Sequence, residues 1–168
     1  CISDFPTPII IQSVNARTGQ VVYFSNLDIP GEKVIKHASV KEAIMASTAF
    51  PGLYKGITVK DDNGNPLLLT DGGLRGNVAV GVLKRCVNSE VWACSYEKND
   101  VPTPAKHFPG IALRLIISAL NDLQERELSA ADKVLKIKRS SSSVLDLKVK
   151  RFDEMEKSGE AQLLRLLD

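Results

Sequence analysis

Apolar residues occur along this chain in short blocks separated by turn residues. Residues 9–14 and 20–25 are rich in strand formers, and the Asn, Thr and Gly of residues 15–19 lie between them, which predicts a hairpin. A second pair of apolar blocks, residues 57–60 and 67–70, flanks a segment that contains Asn63-Gly64. Because Asn-Gly between two apolar runs is the strongest short hairpin signal, we expect a second hairpin there.

Helical patterns follow the strand-like blocks. Ser39 and Glu42 have the spacing of a capping box, which predicts a helix that begins after Ser39, runs to about Ala49 and is stopped by Pro51-Gly52. Further elements are a helix at 77–86, a strand at 91–96, a loop at 97–110, a long helix at 111–127, a strand at 134–138 and a terminal helix at 160–167. One face of the long helix carries an apolar stripe that we interpret as core rather than as an acyl-chain groove: Leu113, Ile116, Ile117, Leu120 and Leu123.

Strands that alternate with helices indicate an α/β layer fold. The 168 residues suffice for one domain, and the hydrophobic share of 43% and charged share of 25% are ordinary for a globular chain. No stretch has the character of a linker between domains. We therefore expect a single domain over residues 1–168.

Charge and composition exclude several classes. The net charge of +2 and aromatic content of 5% give no support to nucleic-acid binding. No apolar stretch approaches the length of a membrane span, and no signal peptide is visible. The three cysteines include no C-x-x-C pair, so neither a zinc site nor a disulfide framework is indicated. We expect Cys86 and Cys94 to be small buried thiols, in a reducing compartment.

The segment richest in chemistry is the apolar block that ends in Asp71-Gly72-Gly73. In open α/β sheets, ligands bind outside the carboxyl ends of strands, which would place Asp71 at a site. A carboxylate there could be a general base or a metal ligand. It could equally be a turn residue, since Asp-Gly is common in turns.

The surrounding residues resemble the patatin-like phospholipase family. In that family a helix ending in Ala-Ser-x-Ala-x-Pro-Gly precedes a strand ending in Asp-Gly-Gly or Asp-Gly-Ala, and an Asn a few residues later opens the next helix. Here residues 46–52 are Ala-Ser-Thr-Ala-Phe-Pro-Gly, and Asp71-Gly72-Gly73 and Asn77 follow in that order. Residues 15–19, 143–146 and 156–161 also fit. The resemblance covers roughly residues 6–168 and is strongest over residues 40–83.

This resemblance implies a three-layer α/β/α fold and an acyl-ester hydrolase with a Ser–Asp dyad that needs no catalytic His. Asp71 would be the base, Gly72 and Gly73 would shape the active-site loop, and Asn77 would order that loop or cap the next helix. The substrate would be a phospholipid or another acyl-ester lipid. No metal or cofactor is expected. Ala79 departs from the family, which often has Pro there, but helix starts tolerate Ala well.

The family's nucleophile elbow, Gly-x-Ser-x-Gly, and its glycine-rich oxyanion loop are absent from this sequence. Both lie upstream of the matching segment in the family. The chain is therefore expected to be the C-terminal portion of a catalytic domain and to be inactive by itself. Two alternatives stay open: an inactive binding or scaffold module of the same fold, and a metal-dependent hydrolase that would need Asp61 or Asp62 beside Asp71.

A basic cluster precedes the terminal helix. We favour a solvated face, but contact with anionic lipid headgroups, worth ~1 kcal/mol for each basic residue near the surface, is the functional alternative. The cluster comprises Lys136, Lys138, Arg139, Lys148, Lys150 and Arg151. His37 and His107 lack the spacing of metal ligands and are taken as surface or loop residues. The expected location is the cytoplasm or a membrane surface, and a secreted effector stays possible.

Overall fold

A computed structural model describes residues 1–76, 78–96 and 108–137, together with residues 156, 157, 159–161, 163 and 164. Helices and strands are both present in these ranges, so the predicted α/β class is confirmed at this level. No helix within the described ranges has the length and apolar character to cross a membrane.

Both predicted hairpins form. Strand β1 (Ile10–Asn15) pairs antiparallel with β2 (Val21–Ser25), and Gly19 adopts a φ of 71° in the connecting turn. Strand β4 (Ile57–Lys60) pairs antiparallel with β5 (Pro66–Asp71). Asn-Gly and Gly turns supply the positive φ that such tight reversals require, which is why these two predictions depend only on local sequence.

The two hairpins join into one five-stranded sheet. A short strand β3 (Lys33–Ile35), which the sequence pattern does not reveal, pairs parallel with β2. Strand β1 pairs antiparallel with β5, which gives the order β3-β2-β1-β5-β4. Strand β5 is thus antiparallel to both of its neighbours. The rule that ligands bind at the carboxyl ends of parallel strands therefore does not by itself place Asp71 at a site.

Two helices cover the opposite faces of this sheet. Helix α1 (Val40–Ser47) buries Ala43 and Ala46 against a core that includes Val22 and Phe24. Side chains alternate between the faces of a strand, so Tyr23 lies on the other face, where it packs with Val82 of α2 (Val80–Cys86). The predicted capping box of α1 is confirmed, since Ser39 and Glu42 exchange hydrogen bonds at its first turn.

The sheet is curled, so that its two edges meet. Strand β3 is one edge and β4 is the other, yet Lys33 Nζ of β3 lies 2.6 Å from Oδ2 of Asp61, the residue after β4. The next carboxylate, Asp62, accepts hydrogen bonds from the backbone amides of Lys36 and His37, just after β3. The β4–β5 turn therefore connects opposite edges of the sheet, and the apolar core lies inside the curve.

The remaining described elements include a separate two-stranded sheet with its own core. Strand β6 (Trp92–Tyr96), helix α3 (Phe108–Ser129) and strand β7 (Lys133–Ile137) follow α2, and β6 pairs parallel with β7. Their core consists of Val80, Val91, Ala93 and Leu128. Helix α3 begins before the predicted residue 111 and ends after 127, so the predicted loop at 97–110 was too long. Residues 97–107 themselves, with His107, lie outside the described residues.

Two predictions about burial were wrong. Leu123, expected in the core stripe of the long helix, is 38% exposed, and among the described side chains of α3 Leu128 is the buried one. The side chains of Leu113, Ile116 and Ile117 are outside the described part. Cys94, expected to be buried, is exposed, because the side chains of β6 alternate and Ala93 and Ser95 point inward.

Candidate functional site

Asp71 is the last residue of β5 and opens a single 3-10 turn, Gly72–Arg75. Its half-buried side chain caps this turn, since Oδ1 accepts a hydrogen bond of 2.7 Å from the backbone amide of Gly73. The main chain of Asp71 is paired with Ser13 of β1. The main chain of Asp71 and one of its carboxylate oxygens are therefore both held by hydrogen bonds, as a general base or a turn cap requires.

Segments distant in sequence meet at this residue. The carbonyl oxygen of Ala49 accepts a hydrogen bond of 3.1 Å from the amide of Asp71 and one of 2.6 Å from the hydroxyl of Thr70. On the other side of β5, the amide of Ala16 donates to the carbonyl of Leu68 at 2.8 Å. Three of the segments on which the family resemblance rests, residues 15–19, 46–52 and 71–73, are thus joined through β5.

A positive φ is not the reason for glycine at either position of the motif. Neither Gly72 nor Gly73 has a positive φ; the residue of this turn that does is Gly76, at 137°. Gly72 instead packs directly on β1. A Cβ added to Gly72 would lie 2.7 Å from the carbonyl carbon of Gln12 and closer still to its oxygen, so that no side chain fits.

Gln12 belongs to the site, although no pattern in the sequence indicated it. Its side-chain Nε2 donates to the carbonyl oxygens of Gly72, at 2.7 Å, and Gly76, at 3.2 Å. A polar residue in an apolar strand is usually a solvent-facing position, so the pattern alone pointed elsewhere. Only the pairing of β1 with β5 brings Gln12 to the turn.

The segment after the turn differs in detail from the prediction. Asn77 lies outside the described residues. Helix α2 begins at Val80 rather than near 77, and its N-cap residue, Ala79, makes no side-chain cap. Glu127 of α3 caps the N-terminus of α2 instead, since its Oε2 accepts a hydrogen bond of 3.0 Å from the amide of Gly81. A side chain of α3 therefore caps the first turn of α2.

The two aspartates proposed as partners in a metal site are engaged elsewhere. The hydrogen bond from Lys33, assisted by the amide of Asn65, lowers the pKa of Asp61 to about 2. Asp62 binds the backbone amides of residues 36 and 37. Among the described residues, no group of three or more His, Cys, Asp or Glu side chains is arranged to hold a metal ion.

The basic cluster is only partly described. Lys136 is exposed on β7, whereas Lys138, Arg139, Lys148, Lys150 and Arg151 lie outside the described residues. The nearby Lys133 lies 4.4 Å from the ring centroid of Trp92 and 3.7 Å from Glu90. An open depression of about 560 Å³ occurs in this half of the molecule but contains none of the predicted site residues; its lining is Lys84, Val87, Asn88, Ser89, Glu90 and Asp132.

No protein-family model matches the chain, and no curated protein matches it either.

Proposed function

We propose that this chain supplies the aspartate base of a serine–aspartate acyl hydrolase of the patatin-like phospholipase type, acting on phospholipids or other acyl-ester lipids. The observation that carries the proposal is the contact of Ala49 with Asp71 and Thr70. It brings together two short motifs that are weak separately, and it does so around the one carboxylate that the mechanism needs.

In the proposed reaction, Asp71 takes the proton of a serine hydroxyl as the serine oxygen attacks the ester carbonyl. The hydrogen bond from Gly73 to Oδ1 fixes the plane of the carboxylate, so Oδ2 would be the oxygen that meets the serine. The proton then passes to the departing alcohol, and water hydrolyses the acyl-serine. No serine of this chain stands in a Gly-x-Ser-x-Gly setting, so the nucleophile and the oxyanion donors come from outside these 168 residues.

The layering supports the finer fold assignment. Helices α1 and α2 pack against opposite faces of the five-stranded sheet, the arrangement expected in a three-layer α/β/α domain. We propose that this unit is part of a patatin-like domain, in which the remaining segments would complete the sheet and the site.

Exposed apolar side chains support a lipid substrate. Helix α1 buries Ala43 and Ala46, whereas its two largest apolar residues are exposed. Large apolar side chains are exposed on either side of the Ala49 contact: Ile44 (51% exposed), Met45 (46%), Leu53 (60%) and Tyr54 (63%). A lipid surface that meets these side chains would lie beside the segment that contacts Asp71.

The test is Asp71→Asn in the complete polypeptide as the cell makes it, assayed on p-nitrophenyl esters. Asn caps a helical turn as well as Asp does, so its amide oxygen keeps the bond to Gly73 and the fold while the base is lost. Turnover should fall by roughly 10²–10⁴-fold, the usual contribution of a general base. Asp28→Asn is the matched control, because the side chain of Asp28 is 90% exposed. An unchanged rate in Asp71→Asn would exclude Asp71 as the base.

The second candidate is a catalytically inactive module in which Asp71 serves as a turn cap. The bond between Asp71 and Gly73 favours it. In that case the complete polypeptide has no esterase activity for Asp71→Asn to remove. The two candidates agree that the 168-residue chain alone is inactive, and turnover by that chain, abolished by Asp71→Asn, would contradict both.

A further inference from the structure

The turn after Asp71 is held by the neighbouring strand through one side chain. Gln12 of β1 donates from Nε2 to the carbonyl oxygen of Gly72 at 2.7 Å and to that of Gly76 at 3.2 Å. These carbonyls belong to the first residue of the 3-10 turn and to the residue that ends it. A single amide group thus joins both ends of the turn to β1.

Chemistry fixes the orientation of this amide. Both partners are carbonyl oxygens, which only accept, so the nitrogen of Gln12 must face them with one N–H for each. The main chain of Gln12 also touches Gly72, which has no room for a Cβ. Side chain and backbone of one residue therefore both contact the turn and contribute to its position relative to the sheet.

The 3-10 turn orients the carboxylate of Asp71. The main chain of Asp71 is fixed by its pairing with Ser13 and by the bond to Ala49, which leaves the side-chain torsions as its remaining freedom. The amide of Gly73 binds Oδ1 at 2.7 Å and so selects one orientation. The direction of that amide depends on the turn conformation that Gln12 holds.

We propose that Gln12 is the positioning residue of the Asp71 carboxylate. This inference rests on the proposed function for its catalytic meaning, but the contact it describes can be measured without turnover. Gln12 does not touch the reacting atoms; it acts through the turn and the Gly73 amide.

Two variants remove the donor with little change in size: Gln12→Met and Gln12→Glu. The matched control is Gln20→Met, since Gln20 is an exposed glutamine in the turn of the same hairpin. Amide hydrogen exchange of the complete polypeptide, resolved residue by residue, should show Gly73 exchanging roughly tenfold faster in both Gln12 variants, as loss of two modest hydrogen bonds implies. Amides in the centre of β1 and β2 should keep their rates, and Gln20→Met should leave Gly73 unchanged.

Steady-state kinetics distinguish a positioning role from a purely structural one. A misplaced base lowers kcat by roughly 10–100-fold while KM for a soluble ester changes little, because the lost orientation acts on proton transfer in the transition state. The proposal would be overturned if the exchange rate of the Gly73 amide did not change, or if exchange became faster by the same factor across the whole sheet. It would also be overturned if the Gln12 variants changed KM and left kcat unchanged. Full activity in Asp71→Asn would instead overturn the proposed function, while exchange at Gly73 still decides whether Gln12 orders the turn.

Discussion

Lys33 and Asp61 join opposite edges of the same sheet. Their Nζ and Oδ2 atoms lie 2.6 Å apart, and the Asp61 side chain is almost completely buried. The same carboxylate accepts hydrogen bonds from the amides of Asn63 and Asn65, so it also orders the β4–β5 turn. A buried carboxylate with this many donors stabilises the curl of the sheet only while it is charged.

Acid should therefore weaken the fold through Asp61. Its pKa in the folded chain is lowered from 3.8 to about 2, so its contribution to stability is complete above the unfolded value and is lost as the pH falls through this interval. In Asp61→Asn the free energy of unfolding should be lower at neutral pH and should depend less on pH between about 4 and 2. Denaturation followed by circular dichroism across this range measures both effects.

Asp28→Asn provides the comparison, since that carboxylate is exposed and pairs with Lys36 at the surface. In Asp28→Asn, the decrease in the free energy of unfolding between about pH 4 and pH 2 should be the same as in the unsubstituted chain. Equal pH dependence in Asp61→Asn and the unsubstituted chain would show that Asp61 does not carry the acid sensitivity.

The close approach of Gly72 to β1 predicts a sharp contrast between two glycines. Gly72→Ala places a methyl group against the carbonyl of Gln12 and should destabilise the chain by about 1–3 kcal/mol, the usual cost of overpacking. In Gly81→Ala the new Cβ meets only Glu127 oxygens at 3.6 Å, and alanine favours the helix, so stability should stay equal or rise by up to about 1 kcal/mol.

Urea unfolding of both variants at neutral pH is the measurement. Equal midpoints for the two alanine variants would mean that the turn can move away from β1 without cost, which would also weaken the argument for Gln12.

The apolar residues beside the Ala49 contact should matter only for aggregated substrate. Replacing Leu53 and Tyr54 by Ser removes two exposed apolar side chains that touch no described core cluster. If the complete polypeptide works at a lipid surface, hydrolysis of phospholipid vesicles should fall several-fold while hydrolysis of a soluble short-chain ester stays the same.

Tyr96→Ser is the control, because Tyr96 is exposed to a similar degree, 54%, but lies on β6 in the two-stranded sheet. A rate on vesicles that falls equally in the control, or does not fall in the double variant, would place lipid contact elsewhere on the molecule. The basic cluster that includes Lys136 would then be the next surface to test.

Local patterns sufficed for much of the secondary structure. The hairpins around Gly19 and Gly64 and the helix capped by Ser39 depend on residues close together in sequence, and all three form. Strand β3 was missed because three residues give no periodicity, and Leu123 was misplaced because a helix reveals its apolar stripe but not which part of it meets the core.

The sequence by itself determined the local elements and singled out Asp71 as the carboxylate at the end of an apolar strand, because turns, caps and alternation act over a few residues. Only the tertiary structure decided that β5 lies between antiparallel neighbours, that Asp61 reaches Lys33 across the curled sheet, and that Gln12 and Ala49 meet the residues around Asp71. These contacts join residues far apart in the chain. They depend on which strands pair and how the sheet bends, and no local pattern encodes either.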